Sequence, residues 1–123
     1  MSGDKIWIDT NIALYFLGGD TTLATALDQK EIYLSVISEM EVLAYPKISD
    51  AEIKDVKTFF SDCTIIELTT PIKERAIFIR RTYNLKLPDA IIAASAIEAN
   101  IPLISADSIF KRITELNFIQ YIL

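Results

Sequence analysis

The chain has 123 residues, of which 51% are hydrophobic and 24% charged, enough for one domain with a real core and unlike a disordered chain. One cysteine and no histidine exclude an internal disulfide, a thiolate zinc cluster, histidine-ligated metals and Ser-His or Cys-His nucleophiles, so any chemistry must run on carboxylates, hydroxyls, amides, Lys or Arg. The net charge of −5 argues at first against a nucleic-acid partner, because phosphate binding rests mainly on Lys and Arg.

Met1-Ser2-Gly3-Asp4 has no basic region and no apolar stretch follows it as in a signal peptide. The longest apolar run, Ala90 to Ile97, is too short for a bilayer, which needs roughly 20 residues. A cytoplasmic protein with no membrane partner is expected. Ile6-Trp7-Ile8 reads as a buried strand that delivers Asp9, followed by Thr10 and Asn11, to its C-terminal tip. Ile12 to Leu17 is short and apolar and stops at Gly18-Gly19. Asp20 can cap a second short helix carrying Leu23, Ala24 and Leu27 on one stripe. Ile32 to Val36 reads as the second strand, after which Ser38 and Glu41 have the spacing of a capping box and Pro46 ends the helix.

Ser49 and Glu52 form another capping box, with Ile53, Val56 and Phe60 following at helical spacing. Cys63 reads as a small buried hydrophobe, and Thr64 to Leu68 as the third strand. Thr70 is expected to cap a helix with Pro71 at its first position and Ile72, Ala76, Ile79 and Tyr83 on one face. Pro88 starts a helix from Asp89 to about Ala99 whose apolar character says it is buried on most sides. Pro102 to Ser105 is the fourth strand, Ile109 to Leu116 a last helix and Phe118 to Ile122 the fifth strand. Strands alternate with helices throughout, without repeat or linker, so residues 1–123 are expected to form one α/β domain with a parallel sheet covered on both faces.

In such a unit, strand C-termini and helix N-termini share one edge of the sheet. Asp9 ends the first strand, Glu41 lies in the first turn after the second, Asp89 opens the helix before the fourth, and Asp107 follows the fourth. All four are expected in one crevice, where open α/β sheets bind ligands. Each acid also has a structural reading, since Asp and Glu are favoured as caps and in first turns. That reading does not explain why all four share a crevice. Clustered carboxylates repel, and a hard divalent cation such as Mg²⁺ or Mn²⁺ compensates them while leaving positions for water and phosphate. Thr10, Asn11 and Ser105 stand beside these acids with groups able to orient a carboxylate or a water. Without the four acids the rest of the chain is near neutral, and Arg80, Arg81 and Lys86 before Asp89, with Lys111 and Arg112 after Asp107, are candidates for holding a nucleic-acid backbone.

Asp9-Thr10-Asn11, Ser35-Val36-Ile37-Ser38 with Glu41-Val42-Leu43, Asp89-Ala90-Ile91-Ile92-Ala93-Ala94, and Ile101-Pro102-Leu103-Ile104-Ser105-Ala106-Asp107 with Phe110 together resemble the PIN domain family, most closely the VapC-type toxins of toxin-antitoxin pairs. The resemblance covers nearly the whole chain. It implies a three-layer α/β/α fold with a five-stranded parallel sheet in order 3-2-1-4-5, and a ribonuclease requiring Mg²⁺ or Mn²⁺. It also implies an RNA substrate, a small antitoxin that covers the acidic groove, and often a homodimer. Asp9, Glu41, Asp89 and Asp107 would form the acidic site, with Asp9, Asp89 and Asp107 as metal ligands and Thr10, Asn11 and Ser105 in support. Leu43-Ala44-Tyr45-Pro46 stands where a Gly is often found after the Glu-Leu pair, Ser38 and Ser105 stand where Thr is common, and Glu39 rivals Glu41. The alternative is a PIN-fold binding module for RNA or protein without turnover. A phosphoryl-accepting signalling domain is disfavoured, since the third strand ends Glu67-Leu68-Thr69 with no Asp to take phosphate.

Overall fold

A computed structural model describes residues 4–123; the leader-free reading of Met1-Ser2-Gly3 lies outside the described residues. Five strands, β1 (Lys5–Ile8), β2 (Glu31–Ser35), β3 (Thr64–Ile66), β4 (Leu103–Ser105) and β5 (Phe118–Gln120), form one parallel sheet. Their order is β3-β2-β1-β4-β5, as the resemblance implies. Six helices connect them: α1 (Thr10–Leu17), α2 (Thr21–Leu27), α3 (Val36–Leu43), α4 (Asp50–Ser61), α5 (Thr70–Tyr83) and α6 (Leu87–Ala99). A short 3₁₀ helix, Ser108–Arg112, leads into β5. Among the described residues no helix is long and apolar enough to cross a membrane.

Alternation along the strands divides the core in two. Trp7 and Leu103 point to one face and pack with Ala76 and Ile79 of α5 and Ala90 and Ala94 of α6. Ile6, Ile8 and Ile104 point to the other and pack with Ile12 of α1, Leu23 of α2 and Val56 and Phe60 of α4. α6 is buried along Ala90–Ala96, and its small residues allow α5 to lie close against it. The indole Nε1 of Trp7 has no acceptor among the described residues, although the side chain is fully buried and its ring stacks on Tyr33 at 5.9 Å.

Several local expectations shift by a residue or more, each for a physical reason. The second strand stops at Ser35 rather than Val36, because the Ser35 hydroxyl accepts from the Ile37 N–H and caps α3. Ser38 is therefore inside the helix and forms no capping box with Glu41. The Ser49–Glu52 box is present in both directions. Thr69, not Thr70, caps α5, which pushes Pro71 to the second position. α6 begins at Leu87 behind Lys86, which provides no side-chain cap. The predicted helix over Ile109–Leu116 is only the 3₁₀ segment. Phe110, Ile113 and Leu116 are all buried, and their spacing of three serves a 3₁₀ turn and its extension as well as an α-helix. β3 and β5 are also shorter than expected. Gly19 sits at φ 94°, a left-handed conformation that stops α1 and that a Cβ would strain.

Leu103 is fully buried and paired in register with Trp7 at the centre of the sheet. Leu103→Ala should lower stability by about 3 kcal/mol, within the range for buried leucines, measured by urea unfolding. A loss below about 1 kcal/mol would mean that the site collapses around the missing atoms.

Candidate active site

β1 lies between β2 and β4, so the chain leaves it in opposite directions and opens a crevice beyond the strand ends. The register pairs Trp7 with Leu103 and Ile8 with Ile104. One further step puts Asp9 beside Ser105, and the Ser105 hydroxyl donates a short hydrogen bond to Asp9 Oδ2. Asp9 Oδ1 accepts from the Ile12 N–H at 2.9 Å, capping α1. Both carboxylate oxygens are thus engaged, and Asp9 is 6% exposed. Burial nevertheless holds its carboxyl above the ordinary range, outweighing these two hydrogen bonds, and the charges of Asp107 and Glu41 push it further up.

Ser105, fully buried, also accepts from the Asp107 N–H at 3.0 Å, so one hydroxyl ties the end of β1 to the loop after β4. Asp107 caps the 3₁₀ helix through the Ile109 N–H at 3.0 Å and is exposed. Asp89 is the third residue of α6 and partly exposed. No hydrogen bond to its side chain occurs among the described residues. Its pKa is raised by burial first, then by Asp107, Asp9 and Glu41 in turn, with only Lys86 opposing.

Glu41 is exposed and lies in the second turn of α3, not the first as expected. The earlier helix start moves it, and Glu39 takes the first-turn position. Glu41 still reaches the crevice. Its Oε1 accepts from the Thr10 hydroxyl at 2.6 Å, and its charge acts on both Asp9 and Asp89, whereas that of Glu39 acts on neither. Thr10 Oγ1 also lies 3.0 Å from Ser38 Oγ. Asn11 is exposed, with no side-chain hydrogen bond among the described residues. Of the basic candidates, Arg80 is taken up by the Leu85 carbonyl at 2.8 Å, while Lys86, Lys111 and Arg112 are exposed. Cys63 is half-buried, and burial pushes its thiol up to about 12, so it is no nucleophile.

Four acids from four segments therefore share one electrostatic field. The ion pairs among the described residues are Lys30–Asp4 and Arg75–Glu98, and neither involves these acids. Oxygen-only donors, raised carboxyls and no paired cation suit a hard divalent ion. No three carboxyl groups of the described residues close on one point as a ready-made cage; Mg²⁺ needs only one or two, with water for the rest. The residue that sequence reasoning passed over is Ser38, whose spacing from Glu41 was accounted for as capping.

A family model described as the PIN domain matches residues 6–116. No curated protein sequence matches the chain. Among solved structures, the chain superimposes on a toxin-antitoxin complex from Klebsiella pneumoniae with a TM-score of 0.80 at 31% identity, over 90% of this chain and 94% of that one. It superimposes on VapBC2 from Rickettsia felis, bound to a DNA fragment from their promoter, with a TM-score of 0.84 at 21% identity, over 94% and 98%. FitAcB from Neisseria gonorrhoeae gives 0.75 at 18% identity, over 94% and 96%. The last two bear on fold alone.

The raised Asp89 carboxyl has a consequence for stability. A carboxyl with a folded-state pKa above its ordinary 3.8 favours folding fully below that value and loses the contribution as pH rises through the folded-state value. Asp89→Asn should therefore stabilise the metal-free protein at neutral pH relative to acid. The melting temperature should rise at neutral pH in EDTA, and the gain should shrink toward about pH 4. A difference between the two proteins that does not change with pH would show that the Asp89 carboxyl is not raised in the folded protein.

Proposed function

Because the chain belongs to the PIN domain family, we propose that it is a metal-dependent endoribonuclease and the VapC-type toxin of a toxin-antitoxin pair. The observation that carries this reading is the coupling of Asp9, Glu41, Asp89 and Asp107 at one sheet edge with no cation paired to them. Asp9, Asp89 and Asp107 would hold Mg²⁺ or Mn²⁺, with Glu41 completing the acidic site. Such an ion, when bound, polarises a phosphodiester and lowers the pKa of a bound water. Ser105 orients Asp9 by donating to it, and Thr10 orients Glu41 in the same way. The Asn11 amide is exposed beside Asp9 and able to meet a phosphate oxygen. Lys86, Lys111 and Arg112 would take the backbone of the RNA.

Two surfaces fit the protein partners. A groove of about 440 Å³ between α1, α3 and α4 is lined by Leu14, Leu17, Val42 and Ile48, with Glu52 and Asp55 beside them. An apolar antitoxin segment with a basic flank suits this lining. The outward stripe of α5, Glu74, Ile77, Phe78 and Arg81, is exposed, with Ile77 50% and Phe78 55% accessible. A two-fold axis midway between Ile77 and Phe78 would set each Ile77 against Phe78 of a second copy and each Glu74 against that copy's Arg81. The stripe is thus self-complementary, as an isologous homodimer contact requires.

Structured RNAs incubated with the protein should be cut in Mn²⁺ or Mg²⁺, with no cutting in EDTA and a loss of at least about 100-fold in Asp9→Asn. Cutting insensitive to both controls would sink the assignment. Saturable Mn²⁺ binding without any cutting would point instead to the binding module. For the homodimer, light scattering should find a dimer in the wild type and a monomer in Phe78→Glu. Glu74→Arg and Arg81→Glu should each weaken the dimer, and their combination should restore it. A monomeric wild type would refute the contact.

A further inference from the structure

We propose that Ser38 is a positioning residue that fixes the Glu41 carboxylate through Thr10, a role that rests on the ribonuclease reading of the site. The Thr10 hydroxyl lies within hydrogen-bond distance of both partners, 2.6 Å from Glu41 Oε1 and 3.0 Å from Ser38 Oγ. It has one proton and two acceptor lone pairs. Thr10 Oγ1 is angled to donate to both partners, but its one proton serves the carboxylate, which can only accept and lies at the shorter distance. The 3.0 Å contact is then completed by the Ser38 proton, the arrangement Ser38 to Thr10 to Glu41 that gives each of the three groups a bond.

Ser38 behaves differently from Thr25, Thr58 and Ser95, which each donate to the carbonyl four residues back in their own helix, a common fate of a hydroxyl inside a helix. Ser38 instead reaches from α3 to the first residue of α1, and it is fully buried. A buried hydroxyl without a partner is costly, so Ser38 is committed to Thr10. Ser38 and Glu41 are three residues apart and share a face of α3, which makes α3 the holder of both ends of the chain of bonds.

Glu41 needs this support more than the other acids do. Asp9 is held by the Ile12 N–H and Ser105, and Asp107 by the Ile109 N–H. Glu41 is exposed, has a longer side chain and receives Thr10 as its one side-chain hydrogen bond among the described residues. Thr10 follows Asp9 directly in sequence, so locking its rotamer also fixes where α3 presents its carboxylate relative to β1. Without Ser38, the Thr10 hydroxyl keeps only its bond to Glu41 and is held from one side alone, and the Glu41 carboxylate samples several rotamers.

The first test needs neither metal nor RNA. Three-bond couplings measured by NMR in EDTA should report a single χ1 rotamer for Glu41 in the wild type and averaging in Ser38→Ala. Thr10→Val should average Glu41 from the other end, and Ser38→Ala should add nothing further in that background. Ser38→Thr, which keeps the hydroxyl, should restore the single rotamer. In RNA cleavage, Ser38→Ala should lower kcat about fivefold with KM unchanged, as for one lost hydrogen bond, and Ser38→Thr should recover it. Couplings at Glu41 that are the same in the wild type, Ser38→Ala and Thr10→Val would overturn the proposal. If the couplings change as expected and the wild type cuts no RNA, the ribonuclease reading fails while the positioning of Glu41 by Ser38 stands.

Discussion

The register of β1 against β4 is the constraint on which the rest depends. Trp7 and Ile8 are paired with Leu103 and Ile104, and both pairs are locked by burial, because a slip of one residue would send Trp7 to the wrong face. Asp9 must then emerge next to Ser105. A carboxylate at this depth has to be satisfied, and the local backbone does so by starting α1 at once and offering the Ile12 N–H. Capping and function are therefore not competing explanations of Asp9. The cap and Ser105 fix where both oxygens sit, and fixed oxygens are what an ion or a reacting water needs.

Backbone dipoles stand here where basic side chains would otherwise be required. Asp9 caps α1, Asp107 caps the 3₁₀ helix, and Asp89 is the third residue of α6. Each lies at the positive end of a helix or turn. These dipoles tolerate negative charge without covering it, whereas an arginine would both neutralise and occupy the site. Burial and mutual repulsion still raise Asp9 and Asp89, so the neutralisation is incomplete, which on the ribonuclease reading leaves room for a cation. Glu41, placed a turn further into its helix, has no such dipole and depends on a side-chain hydroxyl.

The strand and helix alternation, the delivery of Asp9 to the end of a buried strand and the buried character of α6 were all legible in the sequence, because long apolar runs and topology rules determine them. Helix starts were less legible. Ser35 and Ser38 are both hydroxyls in front of apolar residues, and only the end of strand pairing, with Ser35 facing Ile66 of β3, decides that Ser35 takes the cap. Thr69 and Thr70 present the same ambiguity. The role of Ser38 could not be read at all, since its partner Thr10 is 28 positions away and meets it only after β1 and β2 pair. Asn11 shows the opposite limit: its proximity to Asp9 in sequence predicts a role, and the structure adds only that it is exposed, with no side-chain hydrogen bond among the described residues.

The acidic balance of the chain is compatible with an RNA substrate once charge is considered by position. The repulsion that raises Asp9 and Asp89 also opposes a phosphate at the same place, so a polyanion can approach only where that charge is compensated. On the ribonuclease reading, a divalent ion would compensate at the centre, and the exposed cations stand at the margins. Lys86 immediately precedes α6 and is the one cation that acts on Asp89, and Lys111 and Arg112 occupy the last turn of the 3₁₀ helix that Asp107 caps. Each basic residue is tied to an acid by a single short element, so acid and cation keep a fixed separation. On the ribonuclease reading, this spacing lets the backbone be held on both sides of a phosphate whose own position is set by the acids, and total charge then has little bearing on whether RNA binds.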